Sequence, residues 1–142
     1  MNCLRILLDT SSITIAHDLC NQWLYVDWKG RHNEHSVRVG CKQVLEFLRL
    51  TKCQKILNDN TNVIGDWQEA SKWLGEEFIH CLTEAGLRYL AWVYSPDYLS
   101  RRAVDATLAF VSCPMVVSFE DLASAYTWLR ESVRMRPHIH LV

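Results

Sequence analysis

Lys55-Ile56-Leu57-Asn58-Asp59-Asn60-Thr61-Asn62 is the stretch on which the reading of this chain turns. A short apolar run breaks abruptly into small polar residues, and a helix signal follows at Asp66-Trp67-Gln68-Glu69. The pattern predicts a buried strand, then a polar loop, then a helix. Where a strand of an open α/β sheet ends and a helix begins, backbone N–H groups and side chains are free to meet a ligand or partner. Asn58, Asp59, Asn60, Thr61 and Asn62 are therefore candidate binding residues.

Upstream, Ser12–Asp18 and Trp23–Trp28 both alternate, and Leu19-Cys20-Asn21-Gln22 between them is short enough for a hairpin turn. Lys29-Gly30 ends the second strand. Val37, Cys41, Val44, Leu45 and Leu48 then recur at helical spacing, with Asn33 as N-cap. The strand of the opening stretch begins near Lys52. Downstream, Asp66 with Glu69 resembles a capping box, Ala70, Trp73, Leu74, Phe78, Cys81, Leu82 and Ala85 line the inner face, and Gly86 suits a left-handed C-cap. Leu87–Tyr94 is apolar almost throughout, as expected of a central strand buried on both faces. Ser95-Pro96-Asp97 starts a third helix, with Ser95 capping, that runs to about Phe110. Met115–Phe119 is a last strand. Glu120 and Asp121 open a final helix striped by Leu122, Ala125, Tyr126 and Leu129. Residues 132–142 have no clear period and read as a loose tail.

The order ββαβαβαβα predicts an α/β fold: a mixed, mostly parallel sheet of about five strands with four helices. The 142 residues, 49% of them apolar, suit one domain over positions 1–142 with its core at about 12–131. Fifteen Lys and Arg against sixteen Asp and Glu leave no basic excess for general nucleic-acid binding. No apolar run reaches bilayer length, so no membrane insertion is expected. The start, Met1–Asp9, lacks the basic flank, long apolar centre and cleavage site of a signal peptide, so a cytoplasmic location is expected. Cys3, Cys20, Cys41, Cys53, Cys81 and Cys113 stand singly, and reduced thiols are the expectation.

Two readings of Asn58–Asn62 stand side by side. Asn and Asp bond their own backbone in tight turns, so the run could simply knit a loop together. The other reading is a binding edge, with Asn58 and Asn60 sharing one side if strand geometry persists. Trp67, Tyr94 and Tyr98, with Ser95, lie near the carboxyl ends of predicted strands and could wall a pocket beside that run. Trp28, Trp73, Trp92 and Trp128 read as core or rim packing. Trp67 falls off the inner stripe, so exposure is expected, and with it a Trp67→Ala variant of unchanged stability. His32/His35 and His138/His140 have no carboxylate or third ligand at a familiar spacing, so no metal site is expected. There is no Gly-x-Ser-x-Gly elbow and no glycine-rich phosphate loop. His80 and Cys81, as helix neighbours, point about 100° apart. Arg101 and Arg102 read as a solvated helix face. The expectation is a protein that is not an enzyme and needs no cofactor.

Trp23–Gly30 and Lys55–Asn62, with Ala85–Pro96, Phe119-Glu120-Asp121-Leu122 and Trp128-Leu129, resemble the STAS-like family over residues 12 to 131. The likeness is to its small bacterial branch similar to the sporulation anti-sigma-factor antagonists. It implies a regulatory protein–protein interaction module whose partner belongs to a bacterial regulatory system. In the antagonists, a phosphorylated Ser sits after a central strand, at the start of the next helix. Here Thr61 is the hydroxyl in that loop, and a phosphate on it would be repelled by Asp59 and Asp66. The alternative is a small-molecule module for a nucleotide or lipid, which predicts a closed pocket where the first reading predicts a flat patch. A homodimer through a sheet edge or the aromatic surface is open on either reading.

Overall fold

The computed structural model describes residues 3–112 and 115–132. Six strands form one sheet in sequence order: β1 (Leu4–Asp9), β2 (Ile13–Asp18), β3 (Trp23–Arg31), β4 (Lys55–Ile64), β5 (Tyr89–Val93) and β6 (Val116–Phe119). The first two pairings are antiparallel and the last three parallel. The sheet is mixed and mostly parallel, as expected, with one strand more. The extra strand, β1, is the N-terminal apolar patch. It is an edge strand with Leu4 and Ile6 exposed and Leu7 and Leu8 packed on the core, so it lacks the strict alternation that marks a strand in sequence.

Helix α1 (Glu34–Thr51) is capped by Asn33, whose side chain accepts from Ser36 N while the Ser36 hydroxyl accepts from Asn33 N. The second helix, α2 (68–84), is interrupted. A 3₁₀ turn (Gln68–Ala70) leads into one α turn (Ser71–Trp73), a π-helical segment (Leu74–Phe78) and a closing α stretch (Ile79–Glu84). No capping box with Glu69 forms; Asp66 Oδ1 accepts from Gln68 N instead. Gly86, at φ +110°, ends the helix in a Schellman motif: Leu87 N donates to the Leu82 carbonyl and Gly86 N to that of Thr83.

Helix α3 (Tyr98–Leu108) is capped by Asp97, not Ser95. Asp97 Oδ2 accepts from Ser100 N and also from Gly65 N, across from the end of β4. Ser95 is fully buried, and its hydroxyl donates to the Val63 carbonyl (2.6 Å). Helix α4 (Leu122–Glu131) is capped by Asp121.

The three helices α1, α2 and α3 cover one face of the sheet, over a core that includes Ile15, Leu24, Val26, Ile56, Leu82, Leu90 and Val104. Helix α4 covers part of the other face, with Trp23, Leu57, Ala91, Val93, Ala125 and Leu129 between. Lys55 crosses that second layer and donates from Nζ to the Leu129 carbonyl, where the negative end of the α4 dipole favours a cation. Leu122 and Tyr126, read as part of the inner stripe, stand at its exposed rim.

Cys3 and Cys20 form a disulfide with their Cα atoms 5.6 Å apart, against the expectation of reduced thiols. The antiparallel β1–β2 pairing sets Leu4 opposite Asp18, and Leu19 N donates to the Cys3 carbonyl, so the missed strand brings the two sulfurs together. Cys41 and Cys53 are buried free thiols and Cys81 a half-buried one. Cys113, the pair His138/His140 and the tail beyond Ser132 lie outside the described residues. No described helix is long and apolar enough to cross a membrane.

Candidate functional site

The polar run at Asn58–Asn62 is strand, not loop. It lies inside β4 and pairs with β3 as far as Ile64. Alternation therefore divides its side chains between the two faces of the sheet. Asn58 and Asn60 turn toward the helices. Asp59 turns the other way, toward Tyr25.

The β3–β4 register shifts within this run. Asp27 faces Asp59 and Lys29 faces Asn62, so two residues of β4, Asn60 and Thr61, oppose Trp28 alone. That is a β-bulge, uncommon in parallel pairs and frequent beside functional sites. Its consequence is visible in the next residue inward. Val63 returns to the helix-covered face and joins Asn58 and Asn60 there.

Beneath the helices is a cavity of about 40 Å³. Asn58, Asn60 and Val63 of β4 line it with Trp28 of β3, Trp92 of β5 and Trp67. Leu74, Phe78, Ile79 and Leu82 of α2 close it from above. Trp67 is 3% exposed, so its expected exposure is wrong: the 3₁₀ entry to α2 turns the ring inward. There it lies nearly parallel to Trp92, the planes 7° apart and the centroids 6.4 Å apart.

Hydrogen bonding within the cavity is uneven. Trp28 Nε1 donates to Asn58 Oδ1 at 2.8 Å. His32 is fully engaged as well: Nε2 donates to the carbonyls of Ser12 and Lys29, both at 3.1 Å, and Nδ1 meets the Ser36 hydroxyl at 2.9 Å. Burial holds the His32 imidazole below its ordinary pKa, and the two backbone contacts only partly oppose that. Asn60 Oδ1, Trp67 Nε1 and Trp92 Nε1 are buried without a partner. Among the described residues no charged side chain lines the cavity.

On the opposite face, Asp59 is buried and accepts from Tyr25 Oη (2.7 Å) and from the backbone and hydroxyl of Thr61. Burial, and then this bond to a carboxylate, push the Tyr25 phenol well up. Burial and the nearby Asp59 raise Asp27. Thr61 and Asn62 are exposed. Thr61 therefore sits within a strand, beside a carboxylate it already bonds, and not at the start of a helix as the reading required.

Tyr94 and Tyr98 do not wall the cavity. Tyr94 Oη donates to Asp105, and its ring carries the Arg101 guanidinium 4.2 Å from the centroid. Arg101 in turn makes a bidentate pair with Glu120 at 3.0 and 2.9 Å, an ion pair that straps the guanidinium in place while both side chains stay open to solvent. Tyr98 is 69% exposed under Arg102. Strands β4 and β5 are parallel neighbours, yet the candidate residues part company. Asn58, Asn60 and Trp67 line the interior; Thr61, Asn62 and Tyr98 lie on the surface. The joint between the two sets is polar, made by Ser95, Asp97 and Ser100 against Val63 and Gly65.

The cavity was missed because Trp28 and Trp92 pass for ordinary core and Trp67 falls off the apolar stripe of its helix and passes for surface. The available signal was chemical: an indole N–H needs an acceptor when buried, and this chain has six tryptophans with an amide-rich strand among them. Among the described residues no group of His, Cys, Asp and Glu could hold a metal ion.

No family model matches the chain, and no curated protein matches its sequence. Among solved structures it is similar to the anti-sigma factor antagonist SpoIIAA in its unphosphorylated form, with a TM-score of 0.54 and 10% sequence identity over 95% of this chain and 99% of that one. The STAS-like fold expected from the sequence is the fold observed.

Proposed function

We propose that this chain is a non-enzymatic regulatory module of the bacterial cytoplasm that acts by binding another protein. The observation that carries the reading is the exposed rim at the carboxyl end of β4. Tyr98 and Leu99 at the start of α3 and Ile64 at the end of β4 are all exposed, and Pro96 lies beside them. The polar joint of Ser95, Asp97 and Ser100 holds these two segments together, so the rim is presented on a rigid base. Exposed aromatic and aliphatic groups rimmed by polar ones are what protein interfaces are built from. Thr61, Asn62 and Arg102 supply such a polar border. The fold likeness to an anti-sigma factor antagonist supports a protein partner. The Thr61 environment supports recognition without phosphorylation, because a phosphate there would meet Asp59, with Asp27 facing it across the strands.

A photo-crosslinking amino acid at position 98, compared with one at Glu46 on the outer face of α1, tests this in the cells that make the protein. The expected result is a discrete adduct from position 98 only, competed by unlabelled protein. With the partner purified, Tyr98→Ala should weaken binding at least about tenfold, as truncating an interface anchor does. Equal labelling from both positions, or affinity indifferent to Tyr98, would overturn the reading.

A further inference from the structure

We infer that the cavity between β4, β5 and α2 is a binding site for a small neutral molecule carrying a hydroxyl on a compact apolar body. Asn60, Trp67 and Trp92 are 4%, 3% and 5% exposed, and each leaves a polar atom unpartnered. A buried donor or acceptor without a partner costs roughly 1–3 kcal/mol, so three around one cavity are a standing demand for a guest that bonds them. The set is complementary to a hydroxyl. Asn60 Oδ1 can accept its proton and the Trp67 and Trp92 indole N–H groups can donate to its oxygen once the lining shifts to open them, since each of the three atoms is closed off as the cavity stands. His32 does not compete, since both its ring nitrogens are already bonded, and Asn58 Oδ1 is taken by Trp28 Nε1.

The remaining wall sets the rest of the ligand's chemistry. Val37, Val44, Ile56, Leu74, Phe78 and Leu90 offer only apolar contact. A charged group would go unmatched in this lining, and that argues against a nucleotide or an ionised headgroup. Size is the other limit. About 40 Å³ admits a short alcohol, whereas a benzene-sized ring needs a cavity nearer ~150 Å³. The π-helical segment supplies Leu74 and Phe78 to the lining. Such segments are uncommon and cluster at functional sites, and this one is the wall that must yield for an aromatic alcohol. A short alcohol and phenol share the hydroxyl chemistry and differ in whether that wall moves.

The test titrates ¹⁵N-labelled protein with 1-propanol, phenol and toluene, following the indole N–H signals of Trp67 and Trp92, each assigned from its Trp→Phe variant. At least one of the hydroxyl compounds should shift both signals saturably, phenol at least about tenfold more tightly than toluene if the ring is admitted. Asn60→Leu, which deletes the acceptor and fills space, should abolish the shift. Absence of any saturable shift, meaning that water alone occupies the cavity, overturns the inference. So does toluene binding as tightly as phenol on the unmodified protein, a comparison that holds whether or not Asn60→Leu folds. The result is independent of the surface reading, because Tyr98→Ala should leave these titrations unchanged.

Discussion

Trp67→Ala separates the sequence expectation from the structure most sharply. An exposed tryptophan could be removed at a cost of about 0.5 kcal/mol or less. The structure instead buries the side chain to 3% exposure, against Trp92 and the cavity. Truncating a buried aromatic ring to alanine costs roughly 3–5 kcal/mol, the transfer of the ring plus the space it leaves. One term works the other way here. Trp67 Nε1 is an unpartnered donor, and its removal relieves part of that penalty. A net loss of about 3 kcal/mol, at the lower end of the range, is therefore expected. Unfolding a 142-residue chain carries an entropy of about 0.3 kcal/mol/K, so the melting temperature should fall by about 10 °C. Urea unfolding followed by far-UV circular dichroism gives the same quantity from the midpoint. Trp67→Phe keeps most of the ring without the N–H and should lose much less, while Tyr98→Ala should stay within about 0.5 kcal/mol of the parent. A Trp67→Ala protein that melts within about 2 °C of the parent, with an unchanged denaturant slope, would refute the burial argument.

Asp97→Ala removes both the α3 cap and the acceptor for Gly65 N, so chemical denaturation should report a loss of about 1–2 kcal/mol, above that for the exposed cap Asp121→Ala. Gly75→Ala places a Cβ 2.6 Å from Phe110 Cβ and 2.7 Å from the Thr107 carbonyl; a loss of about 1–3 kcal/mol by thermal melting is expected, and a neutral result would mean that the π segment can shift freely away from α3. His32 is held below the ordinary histidine value of 6.5, so its neutral form is favoured in the folded state. The stability this gives is present above that value and is lost as pH falls through the lower folded pKa. Denaturation midpoints measured downward from pH 6.5 should therefore decline in the parent and more weakly in His32→Gln; identical slopes would remove His32 as the cause.

The class of fold could be read before any coordinate, because periodicity is local. Alternation at Trp23–Trp28, the helical spacing of Val37, Cys41, Val44 and Leu48, and the apolar run at Leu90–Val93 each report an element through its own residues. Capping was equally legible at Asn33 and Gly86, where one side chain or one positive φ decides the end of a helix. Strand β1 escaped notice because an edge strand buries too little to impose a pattern. The polar half of β4 escaped for the opposite reason: its partners lie far along the chain. Trp28 satisfies Asn58, Tyr25 satisfies Asp59, and β3 supplies the backbone ladder that a run of Asn and Asp would not hold alone. Likewise, only the 3₁₀ entry to α2 and the bulge at Asn60 and Thr61 decide that Trp67 faces inward, that Val63 rejoins Asn60, and that Tyr98 stays outside. A chain's own order can state which residues are apolar and which can bond. Which of them share an enclosed space is settled by contacts between distant segments, and here that contact geometry turned an expected surface loop into the lining of a cavity.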